Sequence, residues 1–404
     1  MKALLFSRSA SKYAITKAVN AVSSRYLAST SSLELERNYQ LAMPFENAIK
    51  CNIILSGICG SDIGLLTANS SRYFEPLTSF PFVPGHEVVA ITTQDCTGIK
   101  AGSRVVIEPA LTCNIRGINP PCEFCTRGET DKCTNTISGH LTSGLQTGYC
   151  SSTGGGWSET LYAHPNQLHI VPEDLSDLDA IMIEPLACAI HSVLGAKLNG
   201  GENICVIGAG SVGILIVSAL SQLAPSCGIT SLAKYSHQRT AVESLGAKTV
   251  SNFGELQRSS RQLSRSLMIG NRVSGGFDVT FDAVGSPDSI QSAIEVTKPG
   301  GTIILAGMPY PAKIDLTPLW HKQISLVGSY AYGTEVVGDR EIRTFDLAIE
   351  LAQKLSPGKF VSVLYSLEDF EEAINHARNA GSRNAIKIAF DPNAKVSSNP
   401  REEK

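Results

Sequence analysis

Up to about Ile183 the apolar positions fall in short β-branched runs, among them AIKCNIIL, FVPGHEVVAI and GSRVVIEP, punctuated by glycine and proline. That rhythm predicts a mainly β region with irregular loops. MKALLF at the start alternates like an opening strand. From about Pro185 to Val327 the pattern changes. The apolar runs NICVIGAG, GITSLA, GFDVTFDAVG, GGTIILAG and ISLVGSY alternate with the helix-like stretches SVGILIVSALSQLA, HQRTAVESLGAK and SPDSIQSAIEVTK. Such alternation predicts a parallel sheet with crossover helices. Beyond Gly328, DREIRTFDLAIELAQKL and LEDFEEAINHARNAG read as amphipathic helices, AIKIAF as a last strand, and DPNAKVSSNPREEK as a loose tail. The predicted fold class is α/β, divided into residues 1–184, 185–328 and 329–404.

Composition narrows the function classes. The 404 residues are 43% apolar, enough to fill two domains. A net charge of −3 and a pI near 6.3 show no excess of base, which argues against nucleic acid and acidic membranes and leaves small molecules as the expected partners. The first thirty residues are basic, Ser-rich and acid-free, as in a mitochondrial transit segment, but they lack the apolar core of a secretion signal, and the strand-like MKALLF competes with the transit reading. Asn203 to Ala233 carries no charge, yet glycines, a proline and serines break it, so strand, turn and helix fit better than a membrane span. The chain reads as cytoplasmic. In a reducing compartment its eleven cysteines point to metal binding or reactivity rather than disulfides.

Three constellations carry chemistry. In VIGAGSVG, Gly208, Gly210 and Gly213 form GxGxxG between an apolar strand and a helix, the setting of a dinucleotide fingerprint. The helix N-terminus at Ser211 and Val212 would offer amides to the pyrophosphate, and Val284 and Gly285, in the turn after a later strand, are further candidate contacts. An acid closing the second strand would bond the ribose hydroxyls of NAD. Here that strand ends at Ala233, followed by Lys234 and Arg239. A missing carboxylate beside two cations accommodates a 2′-phosphate and favours NADP over NAD. The alternative is that both cations are simply solvated.

The second constellation is PALTCNIRGINPPCEFCTRGETDKC, which holds Cys113, Cys122, Cys125 and Cys133. Four thiolates on one loop suit a closed tetrahedral site for zinc or an iron–sulfur cluster. Buried inert cysteines would have apolar neighbours, whereas this loop has Arg, Glu, Lys and Pro. The third is dispersed: Cys59 in GICGSD, His86 and Glu87 in VPGHEVV, and Glu184 in IMIEPLAC. One thiolate, one imidazole and one or two carboxylates leave a coordination position open, the pattern of a catalytic zinc.

GICGSD, PGHE, the cysteine loop, EPLA and GAGSVG, in this order and over nearly the whole chain, resemble the zinc-dependent medium-chain alcohol and polyol dehydrogenases, in particular the sorbitol and threonine dehydrogenase-like branches. The resemblance implies a GroES-like β-rich catalytic domain, to which the C-terminal segment returns, and a Rossmann doubly wound parallel-sheet domain. It implies one catalytic and one structural zinc. Cys59 and His86 would be catalytic ligands, Glu87 a further or alternating one, and Glu184 a direct or water-bridged one. Ser61 would pass on the substrate proton and Asp62 would orient the ligand histidine. Most relatives place the first structural cysteine where Asn119 stands, and Cys113 would serve instead through a longer loop. The resemblance also implies a small alcohol or ketone substrate and a homodimer or homotetramer. Phe74, Trp157 and Tyr332 are candidate walls of the substrate pocket.

Two other functions fit parts of the pattern. A zinc-free NADPH reductase of the same superfamily would lack the cysteine loop and the Cys/His pair. A non-catalytic dinucleotide-binding protein with a structural zinc would have no need of Cys59, Ser61 and His86.

Overall fold

Strand Ile49–Gly57 buries Ile49, Cys51, Ile53 and Leu55 and turns Lys50 and Asn52 outward, the two-residue period of a half-buried strand. It anchors one of the two units into which the computed structural model divides, Met1–Glu184 with Tyr332–Lys404; the other is Pro185–Ala331. The structure describes residues 1–23, 25–265, 267–269, 272–395 and 397–400.

In the first unit a seven-stranded sheet runs in the order Val361–Tyr365, Lys387–Phe390, Ile49–Gly57, Val88–Thr92, Arg104–Ile107 and Leu168–Ile170, with Thr160–Ala163 also pairing with Ile49–Gly57. The first two strands are parallel and the other pairs antiparallel. One core contains Ile49, Ile53, Val88, Val105, Ile107 and Leu161. Another contains Ile58, Leu66, Trp157, Ile388 and Phe390. The last strand read from AIKIAF thus lies beside the strand that leads into GICGSD, with Ala389 opposite Gly57.

MKALLF forms the strand Ala3–Phe6, which pairs antiparallel with Leu33–Glu36. Between them lies a helix not foreseen from the pattern, Ala10–Val22, capped by the Ser9 hydroxyl, which accepts from Lys12 N. It buries only Thr16, so it carries no apolar stripe to read. Polar bonds dock it instead: Thr16 Oγ1 donates to Thr30 O at 2.8 Å, and Asn20 Nδ2 to Thr67 O at 2.7 Å.

In the second unit six parallel strands follow the order Lys248–Val250, Gly228–Leu232, Asn203–Ile207, Phe277–Asp282, Thr297–Leu305 and Ser325–Gly328. Helices Ser211–Leu223, Ser236–Glu243, Phe253–Ser264 and Pro287–Val296 connect them. Cys205, Ile207, Phe277, Ile294 and Ile303 share its core.

Two C-terminal expectations change. The helix read from Asp339 begins at Thr344, because Arg340–Arg343 instead pairs with Thr334–Val337 around Gly338, whose φ of 61° makes the turn. The tail is held where Ser398 and Leu364 exchange two backbone hydrogen bonds of 2.9 Å; residues 401–404 lie outside the described residues. Among the described residues no helix is long and apolar enough to cross a membrane.

Candidate metal centres and dinucleotide site

The sheet register brings GICGSD and PGHE together. Ser56 faces Val88 in the antiparallel pair, and Gly57 N donates to Glu87 O at 3.0 Å, so the loop after one strand meets the loop before the other. A ligand atom from each of Cys59, His86 and Glu87 then lies within 4.8 Å of the others. Gly57 leaves room for this approach, since a Cβ there would stand 1.7 Å from Glu87 Oε2 and displace that carboxylate. Cys59 precedes the short helix Gly60–Leu66, and its amide donates to Asp62 Oδ2 at 2.9 Å. The other oxygen of the fully buried Asp62 faces His86 Nδ1 at 3.6 Å. The imidazole thus has Asp62 facing Nδ1, and the Cys59 sulfur lies within 4.8 Å of a ring nitrogen. Burial works against a charge on His86, but Asp62 outweighs it and holds the imidazole well above its usual pKa.

Each buried polar atom here faces a charged or titratable group: Asp62 Oδ1 faces His86 Nδ1, and Glu87 Oε2 pairs with the Lys387 ammonium. The fit to a metal rests on the donor set, a thiol, an imidazole and a carboxylate brought this close together. Sulfur with nitrogen and oxygen donors, and few of them, fits an open zinc site. Glu184, 7% exposed at the start of helix Ile183–Gly195, is not part of the close set, but its charge acts on Lys387.

Lys387 is a functional neighbour that the sequence reading passed over. It is 2% exposed, its Nζ donates to Ile58 O at 3.3 Å, and it forms an ion pair with Glu87. Burial opposes the ammonium, and Glu87, then Cys59 and Glu184, raise its pKa above the usual lysine value. The signal available was a lysine inside the apolar strand AIKIAF. Trp157 is also corrected: it is wholly buried, and its Nε1 donates to Gly57 O at 3.2 Å, so it supports the GICGSD loop instead of lining a pocket. Tyr332 is 1% exposed and packs edge-on against Phe345 at 4.7 Å. Phe74 stands edge-on to Tyr73 at 5.4 Å, and Tyr73 is itself exposed.

The four sulfurs of Cys113, Cys122, Cys125 and Cys133 also lie within 4.8 Å of one another. Cys113 joins through the longer loop. Arg116, fully buried, donates to the carbonyls of Leu111, Ser138, Leu141, Thr142 and Gly144 and so folds the segment on both sides of the cysteines around itself. Cys113 Sγ is 3.7 Å from Cys133 Sγ, far beyond a disulfide bond, and accepts from Cys122 N at 3.3 Å and Asn135 Nδ2 at 3.2 Å. Amide donors stabilise thiolates. At Cys122 burial opposes the charge, yet bonds from Cys125 and Thr134 bring its pKa down to about 6. The set suits a closed tetrathiolate site.

In the second unit Gly208 turns with φ 91°, and a Cβ on Gly213 would meet Gly208 O at 1.9 Å, so strand and helix pack as a dinucleotide requires. Gly210 caps helix Ser211–Leu223, with open space where its Cβ would be. Ser211 Oγ is buried without a hydrogen-bond partner, a vacancy that a phosphate oxygen would fill. Asp282 accepts from Val284 N at 2.9 Å, Gly285 N at 3.1 Å and Ser289 Oγ at 2.9 Å and so fixes the Val284–Gly285 turn. Ala233 is fully buried at the strand end. Arg239 Nη1 reaches back to Ala233 O at 3.2 Å and Lys234 O at 3.0 Å, and the Lys234 ammonium lies over the Tyr235 ring at 5.4 Å.

Residues 46–173 match the alcohol dehydrogenase GroES-like domain, and residues 212–353 match the zinc-binding dehydrogenase family. The chain is 30% identical over 293 residues to D-altritol 5-dehydrogenase of Agrobacterium fabrum, covering 70% of this chain and 76% of that protein. The chain belongs to the zinc-dependent medium-chain polyol dehydrogenases. Within this family it is 26% identical over 349 residues to sorbitol dehydrogenase of Bacillus subtilis, covering 84% of this chain and 89% of that one. It is 26% identical over 357 residues to L-idonate 5-dehydrogenase of Vitis vinifera, covering 85% and 87%. The L-idonate 5-dehydrogenase structure from Escherichia coli shares the fold at a TM-score of 0.65 and 23% identity, over 89% of this chain and 94% of that one. A zinc-binding dehydrogenase of Sinorhizobium meliloti bound to NADP does so at a TM-score of 0.68 and 22% identity, over 90% and 96%. Membership makes the chain an oxidoreductase of small alcohols and ketones.

Proposed function

We propose that this dehydrogenase moves a hydride between a secondary alcohol of a polyol, or the corresponding ketose, and NADP, with one catalytic and one structural zinc per chain. The observation that carries the reading is the meeting of Cys59, His86 and Glu87, with a ligand atom of each within 4.8 Å of the others. Zinc, when bound there, supplies a Lewis acid that acidifies an alcohol or polarises a ketone, and the nicotinamide supplies the hydride chemistry. Cys59 and His86 would hold the metal with Glu87 or Glu184. Asp62, facing Nδ1 of His86, would leave Nε2 free for it. Ser61 receives the substrate's hydroxyl proton or returns it. Lys387 offsets the charge of Glu87. Cys113, Cys122, Cys125 and Cys133 hold the second zinc, which ties a long loop together.

NADP is favoured by the methyl group of Ala233 where a carboxylate would repel a 2′-phosphate, with the Lys234 cation beside it. Two of the relatives named above are dehydrogenases of the polyols D-altritol and sorbitol, and another of the polyhydroxy acid L-idonate, which supports a polyol or polyhydroxylated substrate. Homo-oligomerisation is supported by the edge strand Ser325–Gly328, whose four residues are exposed, with Leu326 and Val327 each 42% exposed. The reading places the protein in the cytoplasm.

The test is one preparation, assayed for zinc and for turnover of polyols, secondary alcohols, diols and ketoses with NADPH/NADP and NADH/NAD. Two zinc atoms and polyol turnover support the reading. One zinc without turnover would indicate a non-catalytic dinucleotide-binding protein, and turnover without zinc a zinc-free reductase.

A further inference from the structure

The inserted helix Ala10–Val22 is bonded to the helix that carries Ser61 and Asp62. Asn20, in its last turn, uses both ends of its side-chain amide: Nδ2 donates to Thr67 O at 2.7 Å, and Oδ1 accepts from Arg378 Nη1 at 2.6 Å. Arg378 also donates through Nη2 to Ser23 O at 3.3 Å, where the inserted helix ends. In the same helix as Arg378, Phe370–Arg378, Asn375 holds the backbone of Tyr26 by two bonds, accepting from Tyr26 N at 2.8 Å and donating to Tyr26 O at 2.9 Å. Tyr26, Ile374 and Leu66, the last residue of Gly60–Leu66, share one core. Three helices are therefore tied together through Asn20.

Thr67 closes the helix Gly60–Leu66, whose other end begins at Cys59. The last carbonyls of a helix have no partner within it, and a buried one costs free energy unless a donor is supplied. Thr67 is 2% exposed. Its amide and its hydroxyl both turn back to Ile63 O, at 3.0 and 2.7 Å, and so close the helix on itself. Its carbonyl is the group that joins the helix to the insertion. A helix of seven residues is about 10 Å long and its internal bonds make it move as a unit, so a hold at Thr67 is a hold on Cys59, Ser61 and Asp62. A carboxamide suits the place because it offers a donor and an acceptor at once. A carboxylate would keep Arg378 and lose Thr67 O, and an apolar side chain of that size would lose both.

We infer that Asn20 is a positioning residue: by holding Thr67 O it sets where the helix Gly60–Leu66 stands, and with it Cys59, Ser61 and Asp62. Its effect on turnover rests on the dehydrogenase reading above; its effect on the helix does not.

Hydrogen exchange read by mass spectrometry and steady-state kinetics, both on the full zinc-loaded chain, test this with three variants. Asn20→Leu removes both bonds. Asn20→Asp keeps a partner for Arg378 and removes the donor to Thr67 O. Thr16→Val removes a different bond of the same helix, to Thr30 O, and leaves Thr67 alone. Amides of residues 63–69 are expected to exchange about tenfold faster in both Asn20 variants, the value of one hydrogen bond, with helix Ser211–Leu223 unchanged. In the same two variants kcat should fall about ten- to 100-fold at unchanged cofactor KM, the loss that a displacement of up to about 1 Å produces. Thr16→Val is expected to match the wild type in both readings. Wild-type exchange at 63–69 in Asn20→Asp overturns the inference, as does wild-type kcat in that variant or an equal loss of kcat in Thr16→Val. Faster exchange throughout the chain would make Asn20 a general stabiliser and overturns it too. Should the wild type turn over no alcohol while exchange at 63–69 responds as expected, the dehydrogenase reading falls and the hold on the helix stands.

Discussion

The two sulfur-containing centres of the first unit are assembled in opposite ways. Cys113, Cys122, Cys125 and Cys133 come from one stretch of twenty-one residues, closed by amide-to-sulfur bonds and by the buried guanidinium of Arg116. Cys59, His86 and Glu87 come from two loops that meet only because their strands pair, and the lysine beside them comes from a third strand near the end of the chain. The first gathers four like thiols, Cys113 buried and the other three partly exposed, a set that would leave a tetrahedral metal no position for a substrate. The second is buried, mixed in ligand type, and surrounded by groups that tune one another. A site that closes a loop can be built from that loop alone. A site that must leave a coordination position open and still hold its charges needs the sheet to place them.

The strongest break of this contrast is Cys59→Ser. It is expected to abolish turnover, by at least about 10³-fold in kcat as for loss of a component on which catalysis depends, while melting temperature and nucleotide binding persist; retained activity would remove Cys59 from the metal. Lys387→Met leaves Glu87 as an uncompensated buried charge and is expected to cost about 3–5 kcal/mol in denaturant unfolding. An unchanged unfolding midpoint would mean that water or a metal satisfies Glu87 without the lysine. Cys125→Ser should act in the opposite sense to Cys59→Ser, lowering zinc from two atoms to one and the melting temperature with it, while nucleotide binding is kept. A normal melting temperature with full zinc content would contradict a structural site there. In the second unit, NADPH should bind more tightly than NADH, and Ala233→Asp should reverse the order; fluorescence titration decides both.

The smallest effect sharpens how the four-thiol loop is moored. Arg343 pairs with Glu108 and donates to Thr130 Oγ1 at 3.2 Å, within that loop. The other Glu108 oxygen faces His169 Nε2 at 3.1 Å, and His169 Nδ1 faces Asp346 at 2.7 Å. Burial opposes a charge on His169, but the two carboxylates prevail and push its pKa up to about 9. A histidine raised in the folded state contributes stability that is complete below its unfolded pKa of about 6.5 and is lost as the pH rises through about 9. Unfolding free energy is therefore expected to fall by on the order of 2 kcal/mol between pH 6.5 and 9.5. His169→Gln should flatten that slope, and an unaltered slope would exclude His169 as its source.

Much of this was readable along the chain, for identifiable reasons. The parallel sheet of the second unit could be read because five of its six strands hold apolar runs between helix-like stretches, whereas the edge strand Lys248–Val250, KTV, holds none and was not read; GxGxxG could be read because only glycine, lacking a Cβ, permits contacts such as Gly213 against Gly208 O. The four-thiol loop was equally visible, since its spacing is local. The inserted helix Ala10–Val22 was hidden because polar side chains dock it, and the strand Arg340–Arg343 because its residues fit a helix as well as a hairpin. Lys387 stands out in the chain as a lysine inside an apolar strand, but its partner could not be assigned there, because only strand register brings it to Glu87. Sequence determined which groups could do chemistry, because that is a property of each side chain. Tertiary structure decided which of them meet in one cluster, because hydrogen bonds and ion pairs there depend on distances that chain spacing does not set.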